Sequence, residues 1–156
     1  MKTHGLESIL AEHPFFRELP AEYVKLLAGC SSNVRFDEGA FLFREGEEAD
    51  RFYVIREGTV ALELYSPGKG PLVIETIHEG GIVGWSWLIP PNQWKFDGVA
   101  STSVRALAFD GICLRKKCEE DPVLGFKLLK QVASDMGHTL DSARVRLLDM
   151  YAGKKR

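Results

Sequence analysis

Between Ser32 and Phe109, apolar residues come in short runs rich in aromatic and β-branched side chains, separated by glycines. The runs are NVRF, AFLFR, RFYVIR, TVALELY, LVIETI, VAST and SVRALAF. The punctuation falls at Gly39, Gly46, Gly58, Gly68, Gly70, Gly80 and Gly81. Turn signals at this spacing predict antiparallel all-β structure, a sandwich or barrel. TVALELY alternates, which predicts Val60, Leu62 and Leu64 on one face and Ala61, Glu63 and Tyr65 on the other. A βαβ rhythm is absent, which excludes a Rossmann-type fold.

Helical periodicity flanks this region on both sides. Leu6, Ile9 and Leu10 predict a first helix broken at His13-Pro14, and Val24 and Leu27 give a second, short helix after Pro20 its apolar face. DGICLRKKCEED predicts a short charged helix. Asp121 then suits an N-cap and Pro122 a first helical position, where a missing N–H costs nothing. In the last helix Phe126, Leu129, Ala133, Met136, Leu140, Ala143, Leu147 and Met150 recur at spacings 3, 4, 3, 4, 3, 4, 3. That is a heptad seam, narrower than the stripe of a core-facing helix, and it predicts a partner helix; in a homodimer the partner is a second copy.

The 156 residues suit one domain: helices over 1–31, β structure over 32–110, helices over 111–151 and a tail over 152–156. With 45% hydrophobic and 27% charged residues the chain is ordinarily globular, and a net charge of −2 gives no basic excess for phosphate backbones. No signal-peptide core or membrane span is apparent, so a cytoplasmic protein is expected. Cys30, Cys113 and Cys118 form no CxxC pair and His4, His13, His78 and His138 are dispersed, so neither a metal nor an iron–sulfur cluster is implied. No G-x-S-x-G occurs, and catalysis is not expected.

Particular residues carry a resemblance. HPFF with Leu19 looks like an entry helix; FDEGAFLFREGEEADRFYVIREGTVALEL, from Phe36 to Leu64, is the most diagnostic stretch; GGIVG ends at Gly84; SVRALAF follows. Together they resemble the cyclic nucleotide-binding domain of the Crp–Fnr regulators. The resemblance implies an antiparallel β-roll (a double-stranded β-helix or jelly-roll) with N-terminal helices and a long C-terminal dimerisation helix. It also implies that Gly39, Gly46 and Gly58 are turn residues with positive φ rather than ligand contacts.

In nucleotide-binding members the resemblance implies a cassette of the form G-E-x-x-L followed by R-(S/T)-A. The glutamate holds the ribose, and the arginine grips the cyclic phosphate beside a short helix N-terminus. Here Gly84 and Leu88 match, Trp85 stands at the glutamate, and the arginine position falls at Val99 or Ala100. No arginine lies between Arg56 and Arg105, and Lys95 offers a point charge without the planar fork. A buried phosphate without its arginine carries a penalty of several kcal/mol. The family's winged helix–turn–helix would follow the long helix, where this sequence reads YAGKKR; DNA binding is therefore not expected.

The candidate ligand segment is thus Gly84, Trp85, Ser86, Trp87, Leu88, Trp94, Lys95, Val99 and Ala100. Three readings of its tryptophans stay open. Trp85, Trp87, Trp94 and Phe96 plug the nucleotide cavity; or they wall a re-tooled pocket oriented by Ser86, Asn92, Gln93 and Lys95; or they dock a partner protein. The expected function is a non-enzymatic, homodimeric sensory domain with an altered cassette. The alternatives are a cyclic-nucleotide sensor using Lys95 and backbone amides, or a ligand-free scaffold.

Overall fold

The structure is a computed structural model and describes residues 9–10 and 12–154. Leu6 and the last two residues of the tail lie outside the described residues. Ile9 and Leu10 are helical, as the pattern predicts. Next come α1 (Pro14–Arg17) and α2 (Ala21–Gly29), which buries Val24 and Leu27. The strands are β1 (Ser31–Phe36), β2 (Phe41–Phe43), β3 (Arg51–Glu57), β4 (Val60–Ser66), β5 (Gly70–Ile77), β6 (Ile82–Val83), β7 (Asp97–Ala100) and β8 (Val104–Asp110). Helices α3 (Gly111–Glu120) and α4 (Pro122–Lys154) follow. Residues 152–154 continue α4, with Gly153 inside its last turn, instead of forming the loose tail expected from YAGKKR.

The strands form two four-stranded antiparallel sheets, in the orders β1-β8-β3-β6 and β2-β7-β4-β5. This is the β-roll with flanking helices that the resemblance implied. Gly39, Gly46 and Gly58 all turn with φ between 88° and 92°, a conformation only glycine adopts cheaply.

Two cores lie on opposite sides of the β1-β8-β3-β6 sheet. Phe52 and Val54 of β3, with Leu107 and Phe109 of β8, face the helices and meet Phe16, Leu27, Leu114, Leu124 and Leu128. Tyr53 and Ile55, with Ala106 and Ala108, face the roll interior and meet Phe43, Val60, Leu62 and Ala100. A sheet covered on both faces needs apolar residues at consecutive positions, which is why RFYVIR reads as a run and not as an alternation.

TVALELY departs from its expected alternation. A register shift between Leu62 and Glu63 against β5 ends the pleat early, so Val60 and Leu62 point inward but Leu64 is exposed. Ala61, expected on the outer face, is nonetheless buried.

Asp121 caps α4 as expected. Its Oδ1 accepts the amides of Val123 and Leu124 at 3.1 and 3.3 Å, and its Oδ2 accepts the Tyr23 hydroxyl at 2.8 Å. α4 packs on its own chain through Leu124, Leu128 and Val132. The predicted seam lies elsewhere on the helix: Phe126, Leu129, Met136, Leu140, Leu147 and Met150 are exposed, Ala133 is exposed and Ala143 is half-buried.

Candidate functional site

The segment from Gly84 to Phe96 joins β6 to β7 without any helix. Only single turns organise it: the Leu88 amide donates to Trp85 O at 3.3 Å and the Asn92 amide to Ile89 O at 3.0 Å. The helix N-terminus that would cradle a phosphate is therefore not formed. The loop is fastened instead to residues 46–49. Ala49 N donates to Asn92 O at 2.7 Å, Trp94 N to Glu47 O at 3.0 Å, and Gly46 N to Trp94 O at 2.9 Å. Asn92, with φ 59°, turns its amide inward and donates to the carbonyls of Ser86 and Trp87 at 3.0 and 3.1 Å. Arg115 of α3 donates to the same Trp87 carbonyl at 2.7 Å.

The three tryptophans go to three places and do not act as one group. Trp87 lies outside the roll, in the helix-side core. It stacks on Phe52 at 4.8 Å; Phe52 stacks on Phe109 at 4.6 Å, and Phe109 on Phe16 at 5.9 Å. Trp85 is half-buried and touches both cores, with its ring edge-on to Phe96 at 5.8 Å. Trp94 and Phe96 enter the roll interior.

Trp94 stacks on Phe43 of β2, with ring centroids 3.7 Å apart and planes 12° from parallel. Two glycines bound this pair. A Cβ on Gly84 would lie 2.6 Å from Trp94 Cη2, and a Cβ on Gly98 would lie 2.6 Å from Phe43 Cζ. The sequence of contacts is Gly84, Trp94, Phe43, Gly98: two flat rings in the room left by two absent side chains. No charged residue is fully buried among the described residues, and the cation at the edge of this core, Arg51, is an exposed residue beside the Tyr53 hydroxyl.

The other candidate positions do not converge on this interior. Lys95 is exposed, because the chain alternates with Trp94 and Phe96 inward. Val99 and Ala100 are not loop positions but members of β7, paired with Ala61 and Val60 of β4. Ala100 is buried in the interior core, while Val99 takes the outer face with Ala61. Of the cassette residues, Trp94 and Ala100 reach the interior core. Ser86 is buried, Leu88 is half-buried against the helix-side core, and Gln93 is exposed in a bridge with Glu48.

Sequence reasoning missed Phe43, Gly98, Asn92 as a clamp, and Arg115. It also missed a small cleft of about 210 Å³ between the roll and α4. Trp85, Gly84, Glu75, Asp135, His138 and Thr139 are on its walls. The Thr139 hydroxyl donates to Glu75 Oε1 at 2.6 Å, and Gln131 Nε2 donates to Asp135 Oδ1 at 3.0 Å. Asp135 Oδ2 and Trp85 Nε1 are buried without a partner. Burial, reinforced by the Glu75 charge, pushes the Asp135 carboxyl up to about 7 against the opposing Gln131 hydrogen bond. The cleft therefore offers two carboxyl groups, Glu75 and Asp135, and one imidazole, His138, with no arginine or lysine on its walls.

A two-sheet roll, entered by a loop between β6 and β7 and backed by a long helix, is a domain of the Crp–Fnr type. The chain belongs to the cyclic nucleotide-binding domain family, whose sequence profile matches residues 33–121. It is 26% identical over 147 residues to a cAMP-dependent protein kinase regulatory subunit of Dictyostelium discoideum, covering 92% of this chain and 45% of the relative. It is 25% identical over 134 residues to a CRP-like cAMP-activated global transcriptional regulator of Mycobacterium tuberculosis, covering 86% of this chain and 60% of the relative. The chain thus spans about half the length of these curated relatives. The crystal structure of a protein from Geobacter metallireducens GS-15 superposes with TM-score 0.75 at 28% identity, covering 90% of this chain and 98% of that one. The family is regulatory, not catalytic. No helix of the described residues is long and apolar enough to cross a membrane.

Proposed function

We propose that this chain is a non-enzymatic regulatory domain, a single unit over residues 1–156, whose roll interior is closed by its own aromatic side chains. It does not take cyclic AMP or GMP into the roll. The observation that carries this reading is the Trp94–Phe43 stack wedged between Gly84 and Gly98, in a core without a charge. A buried cyclic phosphate needs a compensating cation and donors, and the interior supplies apolar rings instead. The half-buried cleft beside Trp85 favours a different, non-anionic small molecule or a partner's side chain as the occupant of this region, because its ionisable walls are the carboxyls of Glu75 and Asp135 against the single imidazole of His138, with no arginine or lysine. The unit works as a homodimer through the exposed seam of α4, in the cytoplasm, without contacting DNA through the described residues.

Titration calorimetry with cyclic AMP and cyclic GMP up to about 1 mM tests the reading, since affinity at that limit is only ~4 kcal/mol. No heat of binding is expected. Micromolar affinity for either nucleotide would overturn the closed-roll reading in favour of a nucleotide sensor in which Lys95 and the loop amides turn inward.

A further inference from the structure

The two thiols at the junction of the helical layer and the β1-β8-β3-β6 sheet meet each other. Cys30 follows α2 directly, and Cys113 stands in the first turn of α3. Their sulfurs are 3.5 Å apart. Backbone geometry holds them there from both sides. β1 and β8 pair Ser31 with Phe109, and the Asp110 amide donates to Cys30 O at 2.9 Å, extending that ladder to Cys30. The Asp110 carboxylate then accepts the Cys113 amide at 3.1 Å, which fixes the turn that brings Cys113 back over Cys30. Both cysteines stand on the wall of an open cleft of about 460 Å³, shared with Ser31, Asp50, Arg51 and Ile112. A small oxidant therefore has access to both sulfurs.

We propose that Cys30 and Cys113 form a two-electron redox site that a hydroperoxide closes to an intramolecular disulfide. A disulfide has an S–S bond of about 2.05 Å, so each side chain needs to move by less than an ångström. In the first step one thiolate attacks the peroxide, giving a sulfenic acid and releasing the alcohol, or water from hydrogen peroxide. In the second step the other thiol attacks the sulfenic sulfur, loses its proton and releases water. Two thiols are oxidised by two electrons, and one peroxide is reduced. Burial and the hydrogen bond with Cys113 push the Cys30 thiol up to about 11, so Cys30 is protonated at neutral pH. Either sulfur can meet the oxidant first, and the other then resolves the sulfenic acid. The bridge would tie the end of α2 to the start of α3, the helix that leads into α4.

Intact-mass analysis of the whole chain, treated with hydrogen peroxide and denatured with an alkylating agent, tests this. The treated protein should lose about 2 Da and alkylate once, at Cys118, and dithiothreitol should restore three alkylatable thiols. Cys118→Ser should keep the mass loss. Cys30→Ser and Cys113→Ser should each lose it and instead leave on the remaining partner a sulfenic acid that dimedone captures. These serine variants remove no side-chain volume beyond sulfur, and circular dichroism checks their fold. Retention of three alkylatable thiols after peroxide, a disulfide between two chains, or a mass loss that survives in Cys30→Ser would each overturn the proposal.

Discussion

Trp94→Ala asks whether the roll interior depends on its indole. Trp94 is 4% exposed and lies flat against Phe43, with Gly84 behind it. Its neighbours are strand residues held by backbone pairing, so they cannot collapse far into the space. The void left is on the order of 150 Å³, a size at which an apolar cavity stays dry and takes up benzene. At about 24 cal/mol per Å³ such a void costs about 3.5 kcal/mol, inside the ~3–5 kcal/mol range for losing a core aromatic. Urea unfolding should show this loss as a lower midpoint with an unchanged slope, followed by fluorescence of Trp85 and Trp87, which remain in the variant. A ligand that refills the space distinguishes filling from generic damage. Benzene or indole at about 100 times its dissociation constant should return about 2.7 kcal/mol to Trp94→Ala and nothing to the parent protein. A loss below about 1 kcal/mol, or equal stabilisation of both proteins by benzene, would refute the argument that Trp94 fills the roll.

Three further outcomes are expected. Arginine at Trp94 or at Ala100 drives a cation into the same apolar core and should lower the urea midpoint; with Trp85→Glu, cyclic AMP should restore stability to Trp94→Arg, where the loop enters the roll, and not to Ala100→Arg, and a nucleotide that stabilises neither removes this placement. Leu140 is 63% exposed in the single chain, so Leu140→Asp should leave circular dichroism unchanged while sedimentation shows the parent as a dimer and the variant as a monomer; a monomeric parent, or a dimeric variant, removes the seam. The Asp135 carboxyl, raised to about 7 in the fold against ~3.9 unfolded, contributes fully below pH 4, loses its contribution as pH rises from about 4 to 7, and adds nothing further above. Asp135→Asn should therefore match the parent near pH 4 and exceed it at pH 8 by on the order of 4 kcal/mol in urea unfolding, whereas equal midpoints at pH 8 would show that the carboxyl is not buried in solution.

Where local chemistry decides, the sequence was a good guide, and where only tertiary packing decides, it was not. The glycines at 39, 46 and 58 announce their turns because backbone conformation is a property of the residue itself. The Asp121 cap and the break between α3 and α4 follow from the same kind of local rule. The destinations of the tryptophans were illegible, since Trp85, Trp87 and Trp94 belong to one irregular loop whose side-chain directions no period governs. Phe43, the ring that gives Trp94 its place, comes from a three-residue strand too short to show an alternation. Val99 and Ala100 are strand residues, as the VAST run predicts, but the strand begins earlier, and Gly98 within it is kept small by the Phe43 ring. Asp135 carries no signal of its own in the sequence, because only the position of β5 against α4 buries it.

The same packing says how a signal would cross this domain if the roll does not open for a nucleotide. The β1-β8-β3-β6 sheet is wedged between two cores, so neighbouring residues of β3 report to opposite sides: Phe52 to the helices, Tyr53 to the interior. A closed interior stiffens one face, because the Trp94–Phe43 pair leaves β2 and the β6–β7 loop little room to shift. On the other face, the stack from Phe16 through Phe109 and Phe52 to Trp87 links the N-terminal helices to the loop, and Arg115 fastens the Trp87 carbonyl to α3. The Cys30–Cys113 contact lies at the junction between the sheet and this helical layer, where α2 ends and α3 begins. An input there acts on the helices without requiring the roll to change. On the proposed closed roll and α4 dimer, the boundary between sheet and helices is the one left to shift, and α4, with its seam exposed, would carry that shift to a second chain.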